Sequence, residues 1–243
     1  MTLRPTSRRQ RYAAQTLGLC ATLVGIALGR FAYPPLIPEM IEAGWLTPAE
    51  AAHAGAANLV GYCLGAILAL VAPRSSRRPL VVSAMGVTVL SFIACAMPWG
   101  VTWISAWRFV AGIAGAWLMV RGVSTALTAV TARERPRVSG VTFTGIGLGT
   151  LLTAGVATLL PWIGPTTAWL LMAVLAGAAT GVGIRAWLVM RPASPDSIEV
   201  GVSARRHRGC WRHCSSSWRM PSKRSALFRM ACSGWISSCV SAT

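Results

Sequence analysis

Long apolar segments alternate with short polar ones along most of this 243-residue chain. A helix needs roughly 20 predominantly apolar residues to cross the hydrocarbon core of a bilayer, and most of these segments have about that length. The pattern therefore predicts an all-α membrane protein, a bundle of six transmembrane helices followed by an irregular or disordered C-terminal tail. The predicted spans are residues 13–40, 53–72, 79–97, 101–131, 138–160 and 167–190.

The spans predict three parts of the chain: a cytoplasmic leader over residues 1–12, a six-helix transmembrane domain over 13–195 and a basic, non-periodic tail over 196–243. Pro34 and Pro35 interrupt the first span, and its helix continues to Met40 only if neighbouring helices tolerate the kink. Composition agrees with a membrane protein, since 54% of residues are hydrophobic and 12% are charged. The mean hydropathy of +0.56 is too high for an ordinary soluble domain.

Lys and Arg alternate between the connections of the predicted bundle. The leader carries four, the connection between spans 2 and 3 three and that between spans 4 and 5 three, whereas the other three connections carry none. The positive-inside rule then predicts an integral protein of the bacterial inner membrane with both termini in the cytoplasm. Four tryptophans near the predicted outer ends suit an interfacial aromatic belt: Trp45, Trp99, Trp103 and Trp162.

Glycines recur in the spans at the spacing that lets helix backbones approach closely. Pairs four residues apart include Gly25 and Gly29, Gly61 and Gly65, and Gly177 and Gly181. The candidate packing residues are Gly25, Gly29, Gly61, Gly65, Gly112, Gly115, Gly145 and Gly149.

The tail carries eight of the 23 Lys and Arg residues, and no Asp or Glu follows Glu199. Two interpretations stay open: a basic disordered cytoplasmic tail, or translation out of frame, since the Ser, Cys and Trp codons read in another frame give mostly apolar residues. Net charge of +17 is compatible with nucleic acid, but the spans favour an anionic membrane surface as the partner. His207, Cys210, His213 and Cys214 match no common zinc spacing, so neither a metal nor a cofactor is expected.

Three stretches resemble the major facilitator superfamily, in particular its YbfB/YjiJ-type branch. They are Gly29-Arg30-Phe31-Ala32-Tyr33 with the prolines that follow it, the basic turn from Arg74 to Arg78, and Arg108-x-x-x-Gly112-x-x-Gly115-Ala116. The resemblance covers residues 13–195 and implies a secondary transporter that works by alternating access. It departs from the superfamily in one respect, because the turn between spans 2 and 3 has no Asp.

The resemblance also implies twelve spans, arranged as two six-helix halves around a central cavity, of which this chain holds the first. A half-length transporter would need a second copy to complete the cavity. The alternative is a non-transporting, truncated remnant.

An arginine inside a span is costly and usually faces a polar interior. Guanidinium groups bind anions through charge-assisted, often bidentate, hydrogen bonds, which predicts a small anionic or polar solute. The candidate solute contacts are Arg30, Tyr33, Asn58, Tyr62 and Arg121. The structural alternatives are that Arg30 pairs with carbonyls freed by the prolines or with an acid of another helix, and that Asn58 and Tyr62 form hydrogen bonds between helices.

Candidate coupling or gating residues follow from the resemblance and are Arg108, Glu39, Arg74, Arg77 and Arg78. Arg108 would take part in proton coupling or helix packing, or else it snorkels to the interface. Glu39 either pairs with Arg108 or is a solvated loop charge. Spans 2 to 6 contain no Asp or Glu, so a proton-carrying carboxylate is Glu39 or lies in another half.

Catalytic patterns are absent from the sequence. There is no HExxH, no Walker loop and no pair of acids within the membrane. Gly145-x-Gly147-x-Gly149 lies in an apolar span without a preceding strand, which argues against a nucleotide fingerprint. The chain is therefore predicted not to be an enzyme.

Overall fold

The computed structural model describes residues 7–72 and 77–190, without the side chains of residues 77–79. These residues belong to one compact unit, Met1–Ala193. The predictions for the tail and for Arg74, together with the side-chain roles predicted for Arg77 and Arg78, lie outside the described residues.

All regular structure in the described part of the chain is helical, and two π-helical turns, Leu23–Leu28 and Leu118–Gly122, continue the α-helices beside them. The α-helices are α1 Arg8–Thr22, α2 Gly29–Phe31, α3 Tyr33–Glu42, α4 Pro48–Val71, α5 Arg77–Cys95, α6 Val101–Trp117, α7 Val123–Thr128 and α8 Arg135–Val189.

Four helical segments are long and apolar enough to cross a membrane: Arg8–Glu42, Pro48–Val71, Val101–Thr128 and Arg135–Val189. A fifth apolar helix, Leu80–Cys95, is shorter. The prediction of an all-helical membrane protein is therefore confirmed for the described residues. Six separate spans are not resolved, because the last two predicted spans lie in one 55-residue segment, α8, which is kinked at Gly164.

The first segment lies at the centre of the bundle. In the most apolar 18-residue stretch of this segment 83% of the residues are buried, against 28% in the corresponding stretch of α4. Its helix continues through the prolines to Glu42, since Pro34 and Pro35 occupy the first turn of α3, where the missing N–H groups cost little. The first predicted span is therefore one continuous helical segment.

A capping box fixes the start of α4. The Thr47 backbone N–H donates to Glu50 Oε2 at 2.8 Å, and the Glu50 N–H donates to Thr47 Oγ1 at 3.3 Å. The two hydrogen bonds satisfy two N–H groups that the helix itself leaves unpaired. The backbone hydrogen bond from Thr47 and then the one from its hydroxyl lower the pKa of Glu50 below its ordinary value.

Helices α4 and α6 touch through glycine. A β-carbon at Gly65 would lie 2.6 Å from the Ile113 carbonyl oxygen, and β-carbons at Gly61 and Gly112 would collide with the carbonyls of Phe109 and Asn58. Only glycine permits such an approach of two backbones, and dispersion between closely packed helices drives association in lipid.

The first span makes similar approaches to two other helices. A β-carbon at Gly115 would lie 2.5 Å from the Gly25 carbonyl oxygen, and β-carbons at Gly145 and Gly149 would collide with backbone or side chains of the first span. Gly29 is different, because a β-carbon there would lie 3.0 Å from the Val24 carbonyl oxygen of its own span and at an ordinary contact distance of 3.7 Å from Thr88 of another helix. The close packing predicted at Gly181 is not seen, since no described residue lies within 4 Å of a β-carbon there.

One end of the bundle joins the start of α1 to the connection between α7 and α8. Arg11 Nη1 lies 3.4 Å from Glu134 Oε1, and Gln10 Nε2 donates to the Ala129 carbonyl oxygen at 3.1 Å. Both charged side chains are about one-fifth exposed, and ion pairs near solvent contribute about 0–1 kcal/mol. The contact therefore places the leader and this connection at the same end rather than stabilising the bundle strongly.

Replacing Gly61 by Ala should destabilise the protein by about 1–3 kcal/mol, because the new methyl group meets the Phe109 backbone, which cannot move aside cheaply. Gly155→Ala is the matched control, since nothing lies within 4 Å of its β-carbon. That change should stabilise the helix by about 0.5–1 kcal/mol. Thermal unfolding in detergent compares the two variants, and equal melting temperatures would contradict the close approach.

Candidate solute and coupling site

Arg30 is the middle residue of α2, two residues beyond the first π-helical turn, and its side chain is half-buried. Its guanidinium carbon lies 5.2 Å from the centroid of the Tyr62 ring on α4. Arg30 makes no hydrogen bond or ion pair with a described residue. Neither structural alternative, a carbonyl freed by the prolines or an acid of another helix, is therefore seen among these residues.

Arg108 on α6 is buried in the core, with 1% of its surface exposed. Its guanidinium carbon lies 4.8 Å from the Tyr33 ring centroid and 5.9 Å from that of Trp169. Snorkelling to the interface, one of the alternatives, is therefore wrong for this side chain. The Nε and Nη1 atoms of Arg108 are buried and have no hydrogen-bond partner among the described residues.

Three aromatic side chains, Tyr33, Phe92 and Trp169, form what we call the aromatic box. The Trp169 ring lies 6.3 Å from that of Tyr33 and 6.0 Å from that of Phe92. Tyr33 is fixed at its other end, where its hydroxyl donates to the Ala51 carbonyl oxygen at 2.9 Å. Trp169 is fully buried, and its indole Nε1 also has no partner in the described part of the chain.

Contacts with the aromatic box do not offset the cost of burying Arg108. A desolvated cation–π contact contributes about 2 kcal/mol. Burying a charge costs several kcal/mol, and each unsatisfied donor adds about 1–3 kcal/mol. The ionisable side chains that interact with Arg108 are Cys95 and Tyr33. A thiol and a phenol are ordinarily neutral near pH 7, so neither supplies a permanent counter-charge.

Pairing with Arg108, one of the two alternatives for Glu39, is not seen among the described residues. The ion pair seen among the described residues joins Arg11 and Glu134 instead. Glu39 lies near the end of α3 and is partly exposed. The geometry of the described residues thus separates these two candidate coupling residues.

Asn58 makes the hydrogen bond between helices that was one of its two alternatives. Its Nδ2 donates to the Arg108 carbonyl oxygen at 2.7 Å, and the side chain is buried. Asn58 lies one turn before Tyr62 on α4, and Tyr33 lies one turn after Arg30 on the first span. The candidate residues of spans 1, 2 and 4 are therefore joined in a closed ring of contacts.

Arg121 lies in the second π-helical turn and is buried. Its Nε donates to the Ala69 carbonyl oxygen at 2.5 Å, and its Nη2 donates to that of Ala72. The last carbonyl groups of a helix have no partner within the helix, and Arg121 supplies one at the end of α4. A solute contact from Arg121 would require breaking these hydrogen bonds.

Sequence reasoning missed Trp169 as a neighbour of Arg108, and Phe92 as a neighbour of Trp169. Both lie in apolar spans, where an aromatic residue carries no sign of which helix it will face. Trp169 is the third residue of the sixth predicted span, and its full burial appears only in the structure. Buried Trp N–H groups usually have a hydrogen-bond partner.

Apolar helices that enclose ionisable side chains define this protein as an integral membrane protein of the class that includes transporters, since such side chains mark solute or ion pathways. The family model described as "Uncharacterised MFS-type transporter YbfB" matches residues 22–215. The chain therefore belongs to this family of the major facilitator superfamily, which is a family of transporters and not of enzymes. A comparison with curated proteins finds no match.

Arg121→Met should destabilise the protein by about 1–3 kcal/mol, because the carbonyls of Ala69 and Ala72 lose buried donors. Arg185→Met is the control, since Arg185 is exposed and surface changes usually stay within about 0.5 kcal/mol. Thermal unfolding in detergent measures both. An equal effect of the two changes would show that the capping contact contributes nothing.

Proposed function

We propose that this chain is a secondary transporter of a small anionic or polar solute, acting by alternating access, and that Arg30 contacts the solute. The observation that carries the proposal is the half-buried guanidinium of Arg30, which lies over the Tyr62 ring and has no other partner among the described residues. An anionic group can bind such a guanidinium through two parallel hydrogen bonds.

Six membrane crossings are part of the proposal. As one straight helix, α8 would be about 80 Å long, far more than the roughly 30 Å of a hydrocarbon core. Its backbone leaves the helical region at Gly164, where φ is 68° and ψ is 167°, between Pro161 and Pro165. This break supports two crossings within α8, and with Leu80–Cys95 as the shortest span the bundle has six.

We also propose that both termini are cytoplasmic and that the membrane is the bacterial inner membrane. The contact between Arg11 and Glu134 supports this, because it joins two connections that are rich in Arg. Trp99 and Trp162 in two uncharged connections are 65% and 86% exposed, as residues of an interfacial belt would be. Proton coupling through Arg108 or Glu39 remains a proposal that rests on the resemblance alone.

The alternative is a truncated remnant that does not transport. It is favoured by the exposure of Phe31 and Pro34 beside Arg30, because these side chains leave one side of the proposed solute site open in a single chain. A second copy of the chain would close that side of the site. Cross-linking in membranes tests for this dimer: a stable dimer supports transport by this chain, and a monomer supports the remnant.

Cysteine labelling should report the six crossings. In a background without native cysteines, the exposed positions Ala43, Pro98 and Thr166, replaced singly by Cys, should react with a membrane-impermeant maleimide in intact cells. Cys at the exposed position Ala132 should react only after permeabilisation. Protection of Thr166→Cys in intact cells would refute the two crossings proposed for α8.

Arg30→Met should lower uptake of labelled small carboxylates into proteoliposomes at least about tenfold at low solute concentration, because charge-assisted hydrogen bonds contribute about 1.5–3 kcal/mol, or roughly tenfold or more in affinity. Arg30→Lys should retain part of the uptake with a raised KM, since Lys keeps the charge without the planar fork. Exposed Arg185→Met serves as the control.

Two outcomes contradict the proposal in different ways. If the folded wild-type protein takes up none of the carboxylates, the remnant is supported. If uptake by Arg30→Met equals that of the wild type, Arg30 is not the solute contact.

A further inference from the structure

We propose that Arg108 and Trp169 form a resident binding site for a small monovalent anion such as chloride, separate from the solute site at Arg30. Three buried N–H donors carry the proposal: Nε and Nη1 of Arg108 and Nε1 of Trp169. None has an acceptor among the described residues, and the guanidinium lies 5.9 Å from the Trp169 ring centroid.

The described acids do not supply the acceptor. Glu50 accepts hydrogen bonds from Thr47, and Glu134 pairs with Arg11. Glu39 and Glu42 lie at the end of α3 and form no ion pair with Arg108. The guanidinium lies over the Tyr33 ring, and neither Nε nor Nη1 of Arg108 donates to the Tyr33 hydroxyl.

The chemistry of the site favours an anion over water. A buried cation needs both an acceptor for its N–H groups and a compensating charge, and a water molecule supplies only the acceptor. An anion supplies both through charge-assisted hydrogen bonds to Arg108, and the indole N–H of Trp169 on α8 is a further buried donor without an acceptor among the described residues.

The aromatic box also selects a small occupant. Tyr33, Phe92 and Trp169 are each at most 2% exposed, and Arg108 is 1% exposed, so the donors lie in a tightly enclosed and largely apolar region. A compact monovalent anion loses less hydration energy on entering such a region than a multivalent one does. The bound anion would join α6 to α8 in the core of the bundle.

Arg121 provides a matched comparison on the same span. Its guanidinium is also buried, but its donors have protein acceptors at Ala69 and Ala72. Removing Arg121 should therefore lower stability without changing the response to anions, whereas removing Arg108 should remove that response.

Thermal unfolding in detergent tests the proposal when sodium chloride replaces sodium gluconate at constant sodium concentration. The melting temperature of the wild type should rise by several degrees, with the logarithmic dependence on chloride expected of a ligand that binds the folded state. Arg108→Met should lose the rise, and Trp169→Phe, which keeps a ring but loses the N–H, should show a weaker one. Arg121→Met should melt lower in both salts and keep the rise.

The site is distinguished from the proposed solute site by Arg30→Met, which should leave the chloride response intact whether or not the protein transports. Loss of the response in Arg30→Met would overturn the proposal. So would a wild type that does not respond, which would indicate water at the donors, or an equal response in Arg108→Met, which would indicate a general salt effect. In crystals grown with bromide, an anomalous peak at hydrogen-bond distance from Arg108 Nη1 would support the site directly, and its absence would count against it.

Discussion

The close backbone contact between α4 and α6 is the constraint on which the candidate site depends. Lipid tails are as apolar as the helices, so packing and hydrogen bonds must hold them together. At Gly61, Gly65 and Gly112 the two backbones approach more closely than any side chain would allow. That approach brings Asn58 within 2.7 Å of the Arg108 carbonyl oxygen, and it lets Arg121 reach the end of α4.

Arg108 and Arg121 show two solutions to the same physical problem on one span. Arg121 lies where a helix ends, and the unpaired carbonyls there accept its hydrogen bonds without any acid. Arg108 finds no acceptor for its Nε and Nη1 among the described residues, and its contacts are the aromatic faces of Tyr33 and Trp169. Acceptors at the end of α4 thus satisfy one arginine, whereas the other lies among aromatic rings.

The sequence predicts what depends on local pattern and leaves open what depends on contacts between distant residues. The alternation of apolar and basic segments was sufficient to predict the helices, and the stretch around Arg30 and Tyr33 was sufficient to predict the family. Trp169 beside Arg108 was not predictable, because residues 61 positions apart in sequence meet only once the bundle has packed. The choice between the two alternatives for Glu39, pairing with Arg108 or a solvated charge, was open for the same reason, since a shared end of the bundle does not fix a distance.

The ring of contacts in spans 1, 2 and 4 gives the two proposed sites a physical connection. The Arg30 guanidinium lies over the Tyr62 ring, so the proposed solute site joins spans 1 and 2. Both spans also carry residues that contact Arg108. Arg30 lies one turn from Tyr33, which contacts the Arg108 guanidinium, and Tyr62 lies one turn from Asn58, which binds the Arg108 backbone. Arg30 and Tyr62 are therefore connected to Arg108 by two separate routes, one through Tyr33 of α3 and one through Asn58 of α4.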